Sequence, residues 1–430
     1  MNASIDPNMK TRVIESRIQS TNKAISAWYG RRERQQSRPS RIGHHRYSTT
    51  PANLTKDKRM KAGKQTAYFL FVFLLQSSNY LSLSMMRPLN IRVVSYNVLS
   101  SHLAQPQHFS TLNPDHLLAA NRLPVVLKKL DEEMNRDAVI CLQEVSNDWA
   151  GSLHTHFANR GYHLVTGLYG KKFNGYMGVA IAFPTESMKV LDVDISRLSD
   201  TRQGGWPQAP EEGFLTRVVK GVASFVQKPL EMVGALAKAP IEPWSYSKNR
   251  FNILLTVKLE EKQSGKSFCL GNYHMPCAFY APMVMTIHSE MAAKQVQTLA
   301  NDMPYILAGD WNIKPDGSSY RLLTTGTMDR GDPEWPKPKH GMEWLPTAKP
   351  MRSVYAESDH GEPDFTNYAR IKENEPFIDT LDYIFCSDEW KVTGVKPLPK
   401  REEAGGPFPN LDKGEPSDHI LIAADMKLDA

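Results

Sequence analysis

The sequence predicts an α/β fold for the chain that follows about residue 89. From Ile91 onward, short runs rich in β-branched and aromatic residues alternate with helical patterns, and turn-forming residues separate them. Several strand-like runs end in a polar residue, at the point where α/β sheets collect their ligands. Hydrophobic residues make up 41% of the 430 residues and charged residues 23%, which excludes a disordered chain and allows a sizeable core.

The elements follow from these patterns in chain order. Ten strands are predicted, at Ile91–Asn97, Ala138–Gln143, His163–Thr166, Gly178–Phe183, Phe251–Leu259, Ser267–Tyr273, Tyr305–Gly309, Ser353–Tyr355, Tyr383–Cys386 and Ile420–Met426. Four helices are predicted, at Pro114–Leu130, Trp149–Asn159, Ala281–Asp302 and Ser318–Thr324. Asn113 is the expected N-cap of the first helix because proline follows it at the first helical position.

Residues 1–88 form a basic leader. They contain 16 Lys/Arg and 4 Asp/Glu, a balance of +12, which leaves −6 for residues 89–430. The basic charge therefore belongs to the leader, and a globally basic nucleic-acid surface on the body is excluded, although a local basic groove is not. A composition rich in Arg and Ser and poor in acids predicts a disordered segment similar to an organelle transit peptide.

An apolar run at residues 67–75 ends this leader. It has about half of the roughly 20 residues that a bilayer-spanning helix needs. A transit or signal-type leader, a dispensable extension with translation starting at Met85 or Met86, and a membrane anchor all remain open. We expect an intracellular protein, mitochondrial or in another organelle if the leader is used, and otherwise cytoplasmic.

Residues 200–249 are predicted to be an insertion in the domain at 89–430. Apolar residues recur at helical spacing across 214–238, with Lys and Arg between them and Pro229 as an interruption. An amphipathic helix packed on the body is one interpretation, and a helix that contacts a membrane surface or a partner is the other. No obligate protein partner is evident from the sequence.

The four cysteines form no C-x-x-C pair, so neither a disulfide framework nor a zinc site is expected. Cys141 and Cys386 lie in apolar runs and are predicted to be buried small hydrophobic residues of strands. A reducing compartment is the better expectation.

Polar residues at or near strand ends form the candidate site. They comprise four acids, two amides and two imidazoles: Asn97, Glu144, His274, Asp310, Asn312, Asp382, Asp418 and His419. Taken alone, each of these acids would more often be a surface carboxylate, and each histidine would more often be a structural one. Together, oxygen ligands with few imidazoles and no thiolates favour Mg²⁺, with Mn²⁺ as the alternative. A histidine paired with an aspartate can move protons or stabilise charge on a phosphate.

The ordered motifs carry a resemblance. Asn97, Leu142-Gln-Glu-Val, the His274 loop, Gly309-Asp-Trp-Asn, Asp382-Tyr-Ile-Phe and Ser417-Asp-His together resemble the endonuclease/exonuclease/phosphatase superfamily over residues 89–428. The resemblance implies a four-layer α/β/β/α sandwich of two packed mixed β-sheets flanked by helices. The segments 361–368 and 312–320 are most similar to the group of carbon-catabolite-repressor-type deadenylases, nocturnin and 2',5'-phosphodiesterases.

The resemblance implies roles position by position. Glu144 and Asp418 would hold the metal, while Asp310 and Asn312 would align the attacking water. His419, oriented by Asp382, would be a base or an electrostatic stabiliser, and His274 would contact the phosphate. Asn97, Asn367 and Phe377 would bind substrate, with Phe377 at the position of a phenylalanine that stacks on adenine.

Two departures from the family pattern stand out. Trp311 replaces the usual phenylalanine of the Gly-Asp-Phe-Asn motif, which we interpret as neutral packing. The loop after His274 lacks the expected aromatic residue followed by a clamping proline.

The function expected from all this is a Mg²⁺-dependent phosphodiesterase or exonuclease that acts on RNA or oligonucleotides. The alternative keeps the chemistry and changes the substrate to a nucleotide cofactor, a phosphoinositide or a sphingolipid head group. A non-catalytic binding module is a third hypothesis, and the complete set of polar site residues argues against it.

Overall fold

The computed structural model describes residues 87–170, 176–210 and 241–429. The predictions for the leader up to residue 86, including the apolar run 67–75, lie outside the described residues, as does the amphipathic pattern at 214–238. Within the described ranges, no helix is long and apolar enough to cross a membrane.

Two six-stranded sheets dominate the fold. The first has the order β13 (Trp390–Val395), β14 (Ile422–Leu428), β1 (Leu89–Asn97), β2 (Val139–Val145), β4 (Gly178–Pro184), β3 (Tyr162–Leu168). The second has the order β5 (Met188–Arg197), β6 (Ile253–Glu261), β7 (Ser267–His274), β8 (Tyr305–Asp310), β12 (Asp382–Cys386), β9 (Arg352–Ser353). β10 (Asn367–Ala369) pairs with β11 (Phe377–Asp379). Both large sheets are mixed, because β1 with β2 and β7 with β8 are parallel pairs among antiparallel ones.

Helices cover the outer face of each sheet. α1 (Ala119–Met134) and α2 (Asn147–Asn159) pack on the first sheet, while α4 (Pro282–Ala300) and α5 (Ser318–Thr325) pack on the second, with α3 (Pro243–Lys248) against α4. A separate apolar core, to which both sheets contribute, fills the space between them. The predicted four-layer α/β/β/α sandwich is therefore confirmed. Cys141 and Cys386 are buried, as predicted.

Several predicted element bounds are corrected. The helix predicted at Pro114–Leu130 is instead a single 3₁₀ turn at Pro114–His116 followed by α1, because Leu118 has extended backbone angles and interrupts the helical path. Asn113 does cap the 3₁₀ turn, through its side-chain oxygen. β5, β10, β11 and β13 were not predicted from the sequence, nor was α3 at the end of the insertion.

A buried amide joins the two sheets directly beneath their site-bearing edge. The Asn272 side chain on β7 donates to the carbonyl oxygens of Leu142 and Ala180 on the opposite sheet, at 2.9 Å each. Its oxygen accepts a hydrogen bond from the Gln143 amide, which also donates to Ser95 Oγ. This junction, which we call the Asn272 bridge, pairs polar groups of the two sheets inside an otherwise apolar core and leaves Gln143 Oε1 without a partner within the described residues.

Candidate active site

The candidate residues meet where strands of both sheets end. Parallel pairing places the ends of β1 and β2 together on one sheet, with Asn97 opposite Gln143. On the other sheet, β7 and β8 end with His274 opposite Asp310, and antiparallel β12 begins with Asp382 opposite the same Asp310. The register of the strands thus brings residues between Asn97 and Asp382, which are far apart in the sequence, close together in space.

The Asp310 carboxylate lies at the centre of this cluster. Its Oδ2 atom accepts a hydrogen bond from the Asn97 amide at 2.9 Å and lies 3.5 Å from His274 Nε2 and 3.6 Å from His419 Nε2. Burial raises the pKa of Asp310 to about 6, against the opposing charge of His419. A carboxyl group with such a pKa is suited to accept a proton near neutral pH.

His419 is held by a chain of buried polar groups. Its Nδ1 donates to Asp382 Oδ2 at 2.7 Å, and the same oxygen accepts a hydrogen bond from the Thr366 hydroxyl at 2.6 Å. Burial would lower the pKa of His419, but the charges of Asp382 and Asp310 outweigh it and raise that pKa well above its ordinary value. The two carboxylates therefore favour the protonated form of the His419 ring.

His274 is oriented from behind by a tyrosine. The Tyr169 hydroxyl lies 2.7 Å from His274 Nδ1, and Asn252 donates to the His274 carbonyl oxygen at 2.8 Å. Burial raises the pKa of Tyr169 far above its ordinary value, so its hydroxyl keeps its proton. A hydroxyl that donates to Nδ1 leaves the proton on Nε2, which faces the site.

Glu144 is presented by an irregularity in strand β2. It lies within the register shift between Leu142 and Val145 and has φ +58°, a left-handed conformation that is uncommon outside glycine. Its two oxygens accept hydrogen bonds from the Asn97 amide at 3.3 Å and from the Ser100 backbone at 2.9 Å.

Asp418 and Glu144 together fit a divalent cation. Burial and the negative charge of Glu144 raise the pKa of Asp418, against the opposing charges of His419 and Arg122. Two carboxylates that repel one another in a partly buried site are stabilised by a cation between them, and oxygen donors suit Mg²⁺ or Mn²⁺.

A second set of candidate ligand atoms exists within the described residues. Asp310, Asp382 and His419 each offer a donor atom within 4.8 Å of the others. Two of these groups already satisfy each other through the Asp382–His419 hydrogen bond. An aspartate–histidine pair of this kind can move protons and stabilise negative charge.

The remaining predicted residues lie around this centre. The Asn312 side chain donates to the Met275 carbonyl oxygen at 3.1 Å, and its backbone, at φ +50°, donates to Asp310 Oδ1. The backbone at Asn312 therefore turns back onto the Asp310 carboxylate at the end of β8. Asn367 pairs through its backbone with His419. Phe377 lies half-buried on β11.

Sequence reasoning missed three supporting residues. Arg122 is fully buried and donates to the carbonyl oxygens of Val98, Leu99 and Pro416, which joins the end of β1 to the loop before Asp418. Its signal was present, because Arg122 occupies the buried stripe of α1. Thr366 lies beside Asn367 in the segment 361–368, one of the two segments that carry the resemblance to the deadenylase group. Tyr169 had no local signal, since only tertiary packing brings it to His274.

The sequence of the chain is similar to those of known phosphoesterases. The profile of the Endonuclease/Exonuclease/phosphatase family matches residues 94–419. The 2',5'-phosphodiesterase 12 of Mus musculus is 25% identical over 349 residues, 78% of this chain and 52% of that protein. The Nocturnin of Drosophila melanogaster is 23% identical over 354 residues, 79% of this chain and 47% of that protein. The chain spans about half the length of these curated relatives.

Solved structures share the fold. The crystal structure of ANGEL2, described as a 2',3'-cyclic phosphatase in complex with adenosine-2',3'-vanadate, superposes with a TM-score of 0.58. The match covers 80% of this chain and 97% of that one at 19% sequence identity. At this identity the likeness supports the sandwich architecture and no more.

Proposed function

The chain belongs to the endonuclease/exonuclease/phosphatase family, and from that premise we propose that it is a Mg²⁺-dependent phosphodiesterase acting on RNA or oligonucleotides. The observation that carries the proposal is the convergence of Glu144, His274 and His419 on the Asp310 carboxylate. Two cationic or hydrogen-bond-donating rings and two acids around one point suit a phosphate and an attacking water.

Each group has a role that its surroundings support. Glu144 and Asp418 would hold the metal, which would supply positive charge beside a phosphate oxygen. Asp310, with a pKa near 6, accepts the proton of the attacking water. The protonated His419 and the Nε2–H of His274 donate to phosphate oxygens and stabilise the charge that develops on them.

The substrate class is supported by an aromatic site beside this centre. The ring of Phe279, from the loop after His274, lies 6.2 Å from the ring of Phe377. Lys314 Nζ lies 5.4 Å from the Phe377 centroid and pairs with Asp379 at 2.6 Å. Aromatic faces beside a cation bind nucleobases by stacking. Phe279 lies in the loop after His274, where the aromatic residue and clamping proline of the family pattern are lacking, and we propose that it contacts the base together with Phe377.

Purified full-length chain should shorten oligo(A) or 2',5'-oligoadenylate in Mg²⁺ and should stop when EDTA removes the metal. Glu144→Gln keeps the size of the side chain and removes its charge, so it should abolish Mg²⁺-dependent turnover. Turnover of neither oligonucleotide by a folded wild-type chain would refute the proposed substrate class. Unchanged turnover in Glu144→Gln would refute the metal assignment.

The relatives also motivate testing a second phosphate ester. Nucleoside 2',3'-cyclic phosphates belong in the same assay because ANGEL2 is described as a 2',3'-cyclic phosphatase. Hydrolysis of a cyclic phosphate without cleavage of either oligonucleotide would keep the reaction class and replace the proposed substrate.

A further inference from the structure

An aromatic ridge, formed by the exposed Phe279 and Tyr280 and the half-buried Phe377 and Tyr246, begins in the loop that follows His274. Phe279 and Tyr280 follow His274 by five and six residues and expose 50% and 64% of their surface. Side chains of this size are rarely so open unless they contact a ligand or a partner. The ridge begins at the Phe377–Phe279 pair and continues through Tyr280 to Tyr246.

The outer half of the ridge is held rigidly. The Tyr280 and Tyr246 hydroxyls lie 2.5 Å apart, and their rings meet edge to face with centroids 6.2 Å apart. Tyr246 belongs to α3, which Glu242 caps at its N-terminus through the backbone amides of Trp244 and Ser245. Because the hydroxyl contact and the helix limit their movement, little conformational entropy is lost when a ligand stacks there.

A cation accompanies the aromatic rings in this half too. The Arg250 guanidinium lies over the Tyr246 ring, with Cζ 4.0 Å from its centroid. The inner half has the same composition, an aromatic pair with Lys314 beside it. A stacking surface and a positive charge form the combination that binds single-stranded nucleic acid without reading its sequence.

We infer that Tyr280 and Tyr246 form a second stacking site, which binds the nucleotide next to the one held at Phe377 and Phe279. This inference rests on the proposed function. It places both stacked nucleotides on the same side of the scissile bond, so a substrate that fills both sites and still has a nucleotide to release contains at least three nucleotides. Continuity with the loop that carries His274 places the second site along the path of a substrate strand. α3 lies in the segment 200–249 that the sequence predicts to be an insertion, outside the motifs that carry the family resemblance.

The test compares kcat/KM for di- and triadenylate, in the linkage that the wild-type chain cleaves. We expect the wild type to prefer the trinucleotide, and Tyr280→Ala to reduce that preference by about 5- to 150-fold, the range for one stacked base. Tyr280→Phe keeps the ring and should retain most of the preference. Leu345→Ala, an equally exposed apolar residue outside the ridge, is the matched control and should leave it unchanged.

Each other outcome overturns the inference in a distinguishable way. Equal cleavage of both lengths by the wild type, or an undiminished preference in Tyr280→Ala, removes the second site and leaves the proposed function intact. Cleavage of neither oligonucleotide by the folded wild type refutes the proposed function and the inference with it. Tyr280-dependent sedimentation with phosphatidylcholine–phosphatidylserine vesicles, without a length preference, would assign the ridge to a membrane surface instead.

Discussion

Thr366 offers a direct test of how the active site is oriented. Its hydroxyl donates to Asp382 Oδ2 at 2.6 Å and accepts hydrogen bonds from the backbone amides of Leu381 and Asp382 at 2.9 and 3.0 Å. Asp382 Oδ1 is buried and has no partner within the described part of the chain, so Oδ2 carries the contacts that orient the carboxylate. Thr366→Val preserves the shape of the side chain and removes all three hydrogen bonds.

The magnitude follows from those contacts. Two buried amides that lose their acceptor cost about 1–3 kcal/mol each, so we expect a loss of about 2–6 kcal/mol in the free energy of unfolding. Mutating the hydrogen-bonded partner that orients a metal-binding histidine typically lowers activity by about 10- to 100-fold. Thr366 acts on His419 only through such a partner, Asp382, so for Thr366→Val we expect a fall in kcat of about 10-fold, the lower end of that range. The change in KM should be smaller, because Thr366 does not contact the substrate.

Steady-state cleavage of an oligonucleotide in saturating Mg²⁺ measures kcat, and urea unfolding measures stability. Thr366→Ser retains the hydroxyl and should remain close to the wild type in both measurements. A folded Thr366→Val protein with wild-type kcat would show that Asp382 needs no orienting group. Equal losses in the serine and valine variants would show that the methyl group, and not the hydroxyl, is responsible.

Three further predictions concern groups around the site and in the core. Tyr169→Phe should lower kcat by about 2- to 13-fold, which corresponds to the about 0.5–1.5 kcal/mol of one hydrogen bond. It should also let both tautomers of His274 appear in ¹⁵N spectra of the imidazole, and one unchanged tautomer would contradict this. Gly309→Ala should lower the free energy of unfolding, measured in urea, by more than about 3 kcal/mol. The reason is that a Cβ atom at this position would lie 1.8 Å from the Tyr273 carbonyl oxygen on β7. A smaller loss would mean that β7 and β8 separate easily. Burial would raise the pKa of Glu133, but hydrogen bonds from Arg92, at 2.5 Å, and from Lys396 lower it. The Glu133 carboxylate therefore stabilises the fold above about pH 4.5. That stabilisation is lost as the pH falls through the folded-state pKa. Glu133→Gln should therefore cost about 3 kcal/mol at pH 7 and flatten the acid limb of the stability profile; an unchanged limb would exclude this pair as its cause.

Local sequence patterns predicted the parts of this fold that local forces determine. The strands that carry the site are long, apolar and bounded by turn residues, so their positions followed from alternation and composition. β10 and β11 have three residues each and are held by pairing with each other and with the segment around His419, which no local pattern records. β5 lies at the edge of its sheet with mostly exposed side chains, so burial did not mark it.

The candidate site divides in the same way. The polar residues at strand ends were found because their position is costly unless they serve a purpose. Phe279 was missed because the sequence places it five residues after His274, and only the path of the loop brings it to Phe377. The distance between Asp310 and His419 likewise depends on the register of separate strands, which the sequence alone does not specify.

The Asn272 bridge makes the active site a property of the interface between the two sheets. Glu144 follows Gln143 on one sheet and His274 follows Asn272 by two residues on the other, so the bridge ties together the two strands that carry them. Neither sheet alone carries the complete set of reacting groups. Activity therefore reports on whether the two sheets pack against each other correctly. A state in which both sheets stay folded but shift relative to one another would keep its secondary structure and lose its activity.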